Sequence, residues 1–104
     1  MDFKKRPVLV IGKADNCDYI VLPVSRITRS ESIDSHYDLP MEVLDYPLMN
    51  LTAKSYIRTH KQTVLHKNEL IKEITDFKKN YQCTYFESIR RVETFQKTLI
   101  ERAI

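Results

Sequence analysis

Lys4-Lys5-Arg6-Pro7-Val8-Leu9-Val10-Ile11, followed after a short turn by Tyr19-Ile20-Val21-Leu22-Pro23-Val24, is the stretch that decides the fold. Both apolar runs are short and rich in β-branched residues, which suit a pleated, packed surface. Lys13-Ala14-Asp15-Asn16 between them is turn material. Their near-continuous apolar character predicts two central, largely buried strands. The proline after Arg6 holds that arginine extended, at the mouth of the first strand.

Outward from this pair, Arg29 to Tyr37 is polar, carries Ser30, Ser32 and Ser35, and shows no period, which predicts a loop. Leu39 to Val43 reads as an edge strand, because Pro40 has no N–H for a ladder. Asp45 to Asn50, with Pro47, is expected to be irregular. Lys54 to Arg58 and Thr63 to His66 read as a final hairpin joined around His60-Lys61-Gln62. The period then changes. Leu70, Ile74, Phe77 and Tyr81 recur at helical spacing, with Asn68 as N-cap and Lys78-Lys79 near the far end. A second helix from about Thr84 to Ala103 puts Phe86, Ile89, Val92, Phe95 and Leu99 on one stripe. The expectation is a single domain over 1–104, mainly β with C-terminal helices. A small, curved antiparallel sheet fills about residues 6–66, and helices fill about 68–103.

Composition narrows the function. The 104 residues suffice for one modest core, and 42% hydrophobic against 30% charged is a globular rather than a disordered balance. A formal charge of +3 is mild, so any polyanion site must arise from clustering. Gly12 is the sole glycine, which removes glycine-loop nucleotide folds. No run is long enough to span a bilayer, and the start lacks the pattern of a secretion signal; a cytoplasmic setting is expected. Cys17 and Cys83 have no metal-ligand spacing and are read as two reduced thiols. The carboxylates Asp15, Asp18, Glu31, Asp34, Asp38, Glu42 and Asp45 are scattered, so no metal site and no cofactor is expected.

The candidate chemistry lies in three basic clusters at strand ends. Arg6 has the position of a fixed guanidinium for a phosphate, against the plainer reading of a solvated basic flank. Ser25 and Thr28 offer hydroxyls beside Arg26 and Arg29, though such residues also form local turns. Arg58-Thr59-His60-Lys61 joins a cation, a hydroxyl and a group titrating near neutrality, but His60 falls in the expected hairpin turn, where an exposed histidine needs no role. Tyr37, Tyr46 and Tyr56 are placed where a base could stack, with core packing as the competing reading. No nucleophile elbow or triad pattern is present.

Lys5-Arg6-Pro7-Val8-Leu9-Val10-Ile11, Ile20-Val21-Leu22-Pro23-Val24-Ser25 and Ile57-Arg58-Thr59 together resemble, in order and spacing, the MazF/PemK family of endoribonuclease toxins. The resemblance covers roughly residues 4–70, and the helical end fits the family's own. It implies an SH3-like small barrel of the MazF/PemK/CcdB type that forms a homodimer, binds a cognate antitoxin protein and cuts single-stranded RNA without metal. Arg6 falls on the family's catalytic arginine and would stabilise charge on the scissile phosphate and protonate the leaving 5'-oxygen. Ser25 falls where the family carries a catalytic hydroxyl, usually threonine, and would orient the attacking 2'-hydroxyl or a phosphate oxygen. Lys5, Arg26, Thr28, Arg29, Tyr56, Arg58, Thr59, His60 and Lys61 are the candidate RNA-binding residues. The family's pattern carries a strand and a loop ahead of the Arg-Pro motif; only Met1 to Lys5 stand there, so that strand is expected to be missing or shortened. Two alternatives remain open. One is a non-catalytic interaction module of the same barrel type, like the gyrase poisons, and the other is a plain nucleic-acid-binding domain.

Overall fold

A computed structural model describes residues 6–70 and 73–103. Five strands form one antiparallel sheet: β1 (Val8–Lys13), β2 (Asp18–Ser25), β3 (Asp38–Met41), β4 (Ser55–Arg58) and β5 (Thr63–His66). Two helices follow, α1 (Phe77–Asn80) and α2 (Gln82–Ala103). The expected α+β class is present, with its antiparallel sheet and C-terminal helix.

β1 and β2 form the hairpin that the opening stretch predicts, from Val8 opposite Pro23 to Lys13 opposite Tyr19. Asp15 closes the turn by accepting from the Cys17 and Asp18 N–H groups at 2.8 and 3.0 Å, which also holds its carboxyl below the usual range. β2 is central as expected, with Val21, Leu22 and Val24 buried. β1 is not. Among the described residues it pairs with β2 alone, at an edge, and Val10 stays 40% exposed. β3 is the opposite edge, as Pro40 suggests, and is shorter than expected because Val43–Asp45 turns into a single 3-10 turn.

The expected hairpin of β4 and β5 does not form. Both strands lie along the same edge of β2: Val24 faces Ile57 and Ser25 faces Tyr56, while Val21 faces Thr63 and Asp18 faces His66. Three steps along β2 correspond to six along its partner, so residues 59–62 loop out of one interrupted strand. The excursion is tied to the β2–β3 connection by Thr59, whose N–H and hydroxyl both donate to the Tyr37 carbonyl, at 3.2 and 2.5 Å.

Leu9, Leu22, Val24, Met41 and Ile57 form the buried face of the sheet, covered by Met49, Phe77 and Val92. The first helix is much shorter than its periodicity suggests. Leu70 is extended, residues 73–76 are not helical, and Asp76 rather than Asn68 is the N-cap, accepting from the Lys79 N–H at 3.1 Å. His66 and Glu69 instead box a single 3-10 turn at Lys67–Glu69. On α2 the packed seam runs through Tyr85, Ser88 and Val92, with Tyr81 packed just ahead of the helix, whereas Phe86 and Leu99 of the expected stripe are 51% and 46% exposed. Ser88 explains the shift: a small residue lets the helix approach closely, and its hydroxyl donates to the Thr84 carbonyl at 2.8 Å. Cys17 and Cys83 are both free. Among the described residues no helix is long and apolar enough to cross a membrane.

Candidate phosphate-binding row

β2 turns Leu22 and Val24 to the main core, so alternation turns Val21, Pro23 and Ser25 to the other face, which is buried at Val21 and half-open at Pro23 and Ser25; that is the outer face of the sheet here. The Val24 N–H donates to the Pro7 carbonyl at 3.2 Å, which extends the β1–β2 ladder one pair beyond β1. The same register carried one residue further sets Arg6 across from Ser25. On the other side Ser25 pairs with Tyr56, and Tyr56 pairs with Pro40 of β3. The backbone register thus sets positions 6, 25 and 56 in one row across three segments distant in sequence, with Arg6 at its end, where its side chain also borders the cleft on the other face.

Arg6 is exposed, and Ser25 and Tyr56 are half-buried. Arg26 reaches the Thr52 hydroxyl. The Lys54 ammonium lies 5.5 Å from the centre of the Tyr56 ring and 3.0 Å from Glu42, whose carboxylate raises the lysine's pKa. Lys54 thus links the Tyr56 ring to the Glu42 carboxylate, while Arg26 is held by Thr52. Thr28 and Arg29 are exposed on the connection beyond, and no hydrogen bond ties either side chain to the row among the described residues. Lys5 lies outside the described residues.

Arg58, Thr59 and His60 belong elsewhere. Thr59 is buried and serves as the Tyr37 anchor, so its hydroxyl has no ligand role. His60 is not an exposed turn histidine: only 13% of its side chain is accessible, and its ring sits 5.8 Å from Tyr37 and 6.0 Å from Phe95. Burial pushes its pKa down, and Nδ1 makes no hydrogen bond although Asp38 lies 3.6 Å away. Asp38 is the residue that sequence reasoning missed. Its side chain is fully enclosed and accepts from Arg58 Nε at 3.1 Å and from the Asp34 N–H at 2.8 Å. Tyr37 and Tyr46, offered as stacking faces, are both packed: Tyr37 against Phe95 at 5.0 Å, and Tyr46 against Tyr81 at 4.9 Å with its hydroxyl 2.7 Å from that of Thr84. Lys61 remains exposed.

A cleft of about 1360 Å³ opens on the opposite face, between β1 and residues 68–70 and 73–78. Arg6 borders it, but so do Glu69, Glu73 and Asp76, and its floor is apolar Leu9 and Ile57. Those carboxylates suit a polyanion poorly, which favours the outer row as the candidate site. The described residues hold no group of three or more His, Cys, Asp or Glu able to bind a metal. Ser25 also lacks a histidine or carboxylate hydrogen-bonding partner among them, so the row has no activated protein nucleophile. What it can do is bind, orient and neutralise a phosphate. Comparisons with protein-family models, curated proteins and solved structures found no match to this chain.

Proposed function

We propose that the chain is a toxin-type endoribonuclease that cleaves single-stranded RNA at the outer row, on an SH3-like barrel of the MazF/PemK kind. The observation that carries this reading is the register that brings Arg6 across from Ser25, the two residues that the family resemblance singles out, with Tyr56 alongside. In RNA the nucleophile is already attached to the substrate, so a site with no activated side chain of its own is sufficient. The 2'-oxygen bonds to phosphorus while the bond to the 5'-oxygen breaks, leaving a 2',3'-cyclic phosphate and a 5'-hydroxyl. Ser25 holds the 2'-hydroxyl in line. Arg6 lies against the phosphate, offsets the charge that grows on its oxygens and delivers a proton to the leaving 5'-oxygen; the proton lost from the 2'-hydroxyl returns to it through solvent. Orientation and charge stabilisation of this kind supply several kcal/mol, roughly 2.7–4 for a single well-placed donor. Tyr56 offers a ring on which a flanking base stacks. As a toxin of this kind the protein works in the cytoplasm as a homodimer and is restrained by an antitoxin.

The test is incubation of the purified protein with a long single-stranded RNA in EDTA, followed by mapping of the ends. Cyclic phosphate and 5'-hydroxyl ends are expected. Arg6→Ala and Ser25→Ala should each lower the rate by about 10²–10³-fold while leaving the unfolding midpoint unchanged. Intact RNA bound in a salt-dependent way would replace this reading with a plain nucleic-acid-binding domain. Growth arrest that survives Arg6→Ala would point instead to a non-catalytic interaction module.

A further inference from the structure

The ladder between β3 and β4 runs from Asp38 opposite Arg58 to Met41 opposite Ser55. Carried one pair further, the same register sets Glu42 opposite Lys54, and the two side chains meet at 3.0 Å. Alternation explains why both are exposed. Met41, Ser55 and Ile57 turn inward and are buried, so Glu42, Lys54 and Tyr56 turn to the other face. A ring, an ammonium and a carboxylate therefore stand side by side, next to Ser25, the cross-strand partner of Tyr56. We propose that Glu42, Lys54 and Tyr56 form a guanine-reading site, which takes the base beside the cleaved bond. This rests on reading the Arg6–Ser25 row as a site for single-stranded RNA, and it names the base that the row prefers.

The chemistry of the bases selects guanine. Its Watson–Crick edge carries two donors side by side, N1–H and the N2 amino group, followed by the O6 acceptor. A carboxylate accepts both donors through its two oxygens, and an adjacent ammonium donates to O6. Adenine and cytosine offer one amino donor beside a ring-nitrogen acceptor, so they engage a single carboxylate oxygen. Uracil sets its one N–H between two carbonyl oxygens, which repel the carboxylate. The expected order is guanine first, adenine and cytosine behind it, uracil last. Without RNA the Lys54 ammonium lies 5.5 Å from the Tyr56 ring centre. That is inside the shell, about 4.5–7 Å out, where the centre of a stacked ring would lie, so an entering base displaces it. Magnitudes favour the exchange, because an exposed cation–π contact is weaker than a base stacked on a ring. The flexible lysine stem then lets the ammonium swing to the base edge while it stays beside Glu42. Among the described residues Lys54 is the one ionic partner of Glu42, through Oε1, which leaves Oε2 open to a base.

The experiment measures binding of a short uridine tract, 2'-O-methylated so that it is not cut, in which one position is varied. Guanine at that position should bind about tenfold more tightly than uracil. Inosine, which lacks the N2 amino group, should fall about threefold below guanine. Glu42→Gln should remove most of the guanine preference and bind the all-uridine tract no more weakly than the parent. Glu42 and Lys54 are both about half exposed, so the unfolding midpoint should not move, and Lys54→Met serves as the second variant. It should lose affinity for guanine and inosine alike, since both carry O6. Equal affinities for the four bases, a preference for uracil, or a guanine preference that survives Glu42→Gln would each overturn the proposal, as would failure of every tract to bind. The two readings separate. A guanine preference that depends on Glu42, with ordinary RNA left intact, overturns the ribonuclease and keeps this site. Cleavage with no guanine beside the mapped ends overturns this site alone.

Discussion

Two arginine clusters share the outer face of the sheet, and they differ in how much of their chemistry is already committed. In the row of Arg6, Ser25 and Tyr56 the side chains are exposed or half-buried, and the nearby Lys54–Glu42 pair is solvated at both ends. In the cluster of Asp38, Arg58 and His60 the carboxylate is sealed from water, and α2 closes over it with Phe95 and with Arg91, which donates to the Asp38 carbonyl at 3.3 Å. Each set is built around one arginine. What separates them is a long-range partner: a carboxylate buried opposite one arginine turns that arginine inward, while the other faces solvent. The first arrangement leaves charge available for a ligand, and the second spends most of it on the fold.

That contrast predicts opposite costs of truncation. Asp38→Ala removes the partner of Arg58 and of the Asp34 N–H together, and should destabilise by about 3–5 kcal/mol in urea unfolding. Ser25→Ala, on the open row, should stay within about 0.5 kcal/mol of the parent. Similar costs at the two positions would erase the distinction. The aromatic pair gives a finer version. Phe95→Ala takes away the ring that packs on Tyr37 and His60, and as a half-buried aromatic should cost about 2 kcal/mol. Tyr56→Ala should cost about 1 kcal/mol, with its main effect on RNA affinity. Equal unfolding midpoints for these two variants would show that α2 contributes nothing to sealing the closed cluster.

The same contrast marks where the sequence was legible. The β1–β2 hairpin, the Pro40 edge strand and the long second helix follow from local signals: β-branched runs around a turn, a missing N–H, and a sustained 3.6-residue period. The Arg6–Ser25 pairing was suggested by motif resemblance, and its geometry depends only on the register of one hairpin. What local signals misread was non-local. Lys54 to Arg58 and Thr63 to His66 look like a hairpin because a turn-like segment separates them, yet each finds more partner along β2 than along the other. His60 has the flanks of an exposed turn residue, and only Thr59's tether to Tyr37 draws it under Phe95. Asp38 is one of several scattered carboxylates until the pairing of β3 with β4 sets it opposite Arg58. The first helix failed for a different reason. Leu70 and Ile74 keep helical spacing, but Asp76 offers a better cap close to Phe77, which is where the core needs a side chain.

The smallest expected effect is also the sharpest probe of the closed cluster, because it needs only a change of pH. Burial depresses the pKa of His60. Asp38 and Asp34 pull it upward, and Arg58 and Lys61 push it down, so the ring stays below its ordinary value near 6.5. In the folded protein His60 is therefore neutral at a pH where the unfolded chain already holds a proton on it. The unfolded state binds more protons in that window, so stability rises with pH there and levels off above about pH 7. Going down, the contribution is lost as the pH drops below the ordinary histidine value, and it stops falling once the folded ring protonates. A charged ring would also draw the Asp38 oxygen that Arg58 Nε now uses, since both nitrogens face the same Oδ1. His60→Gln should flatten the stability profile between about pH 5 and 7 relative to the parent. Parallel urea-unfolding curves for the two proteins across that range would mean that His60 titrates as freely as a surface histidine, and the cluster would then be as open to water as the row beside it.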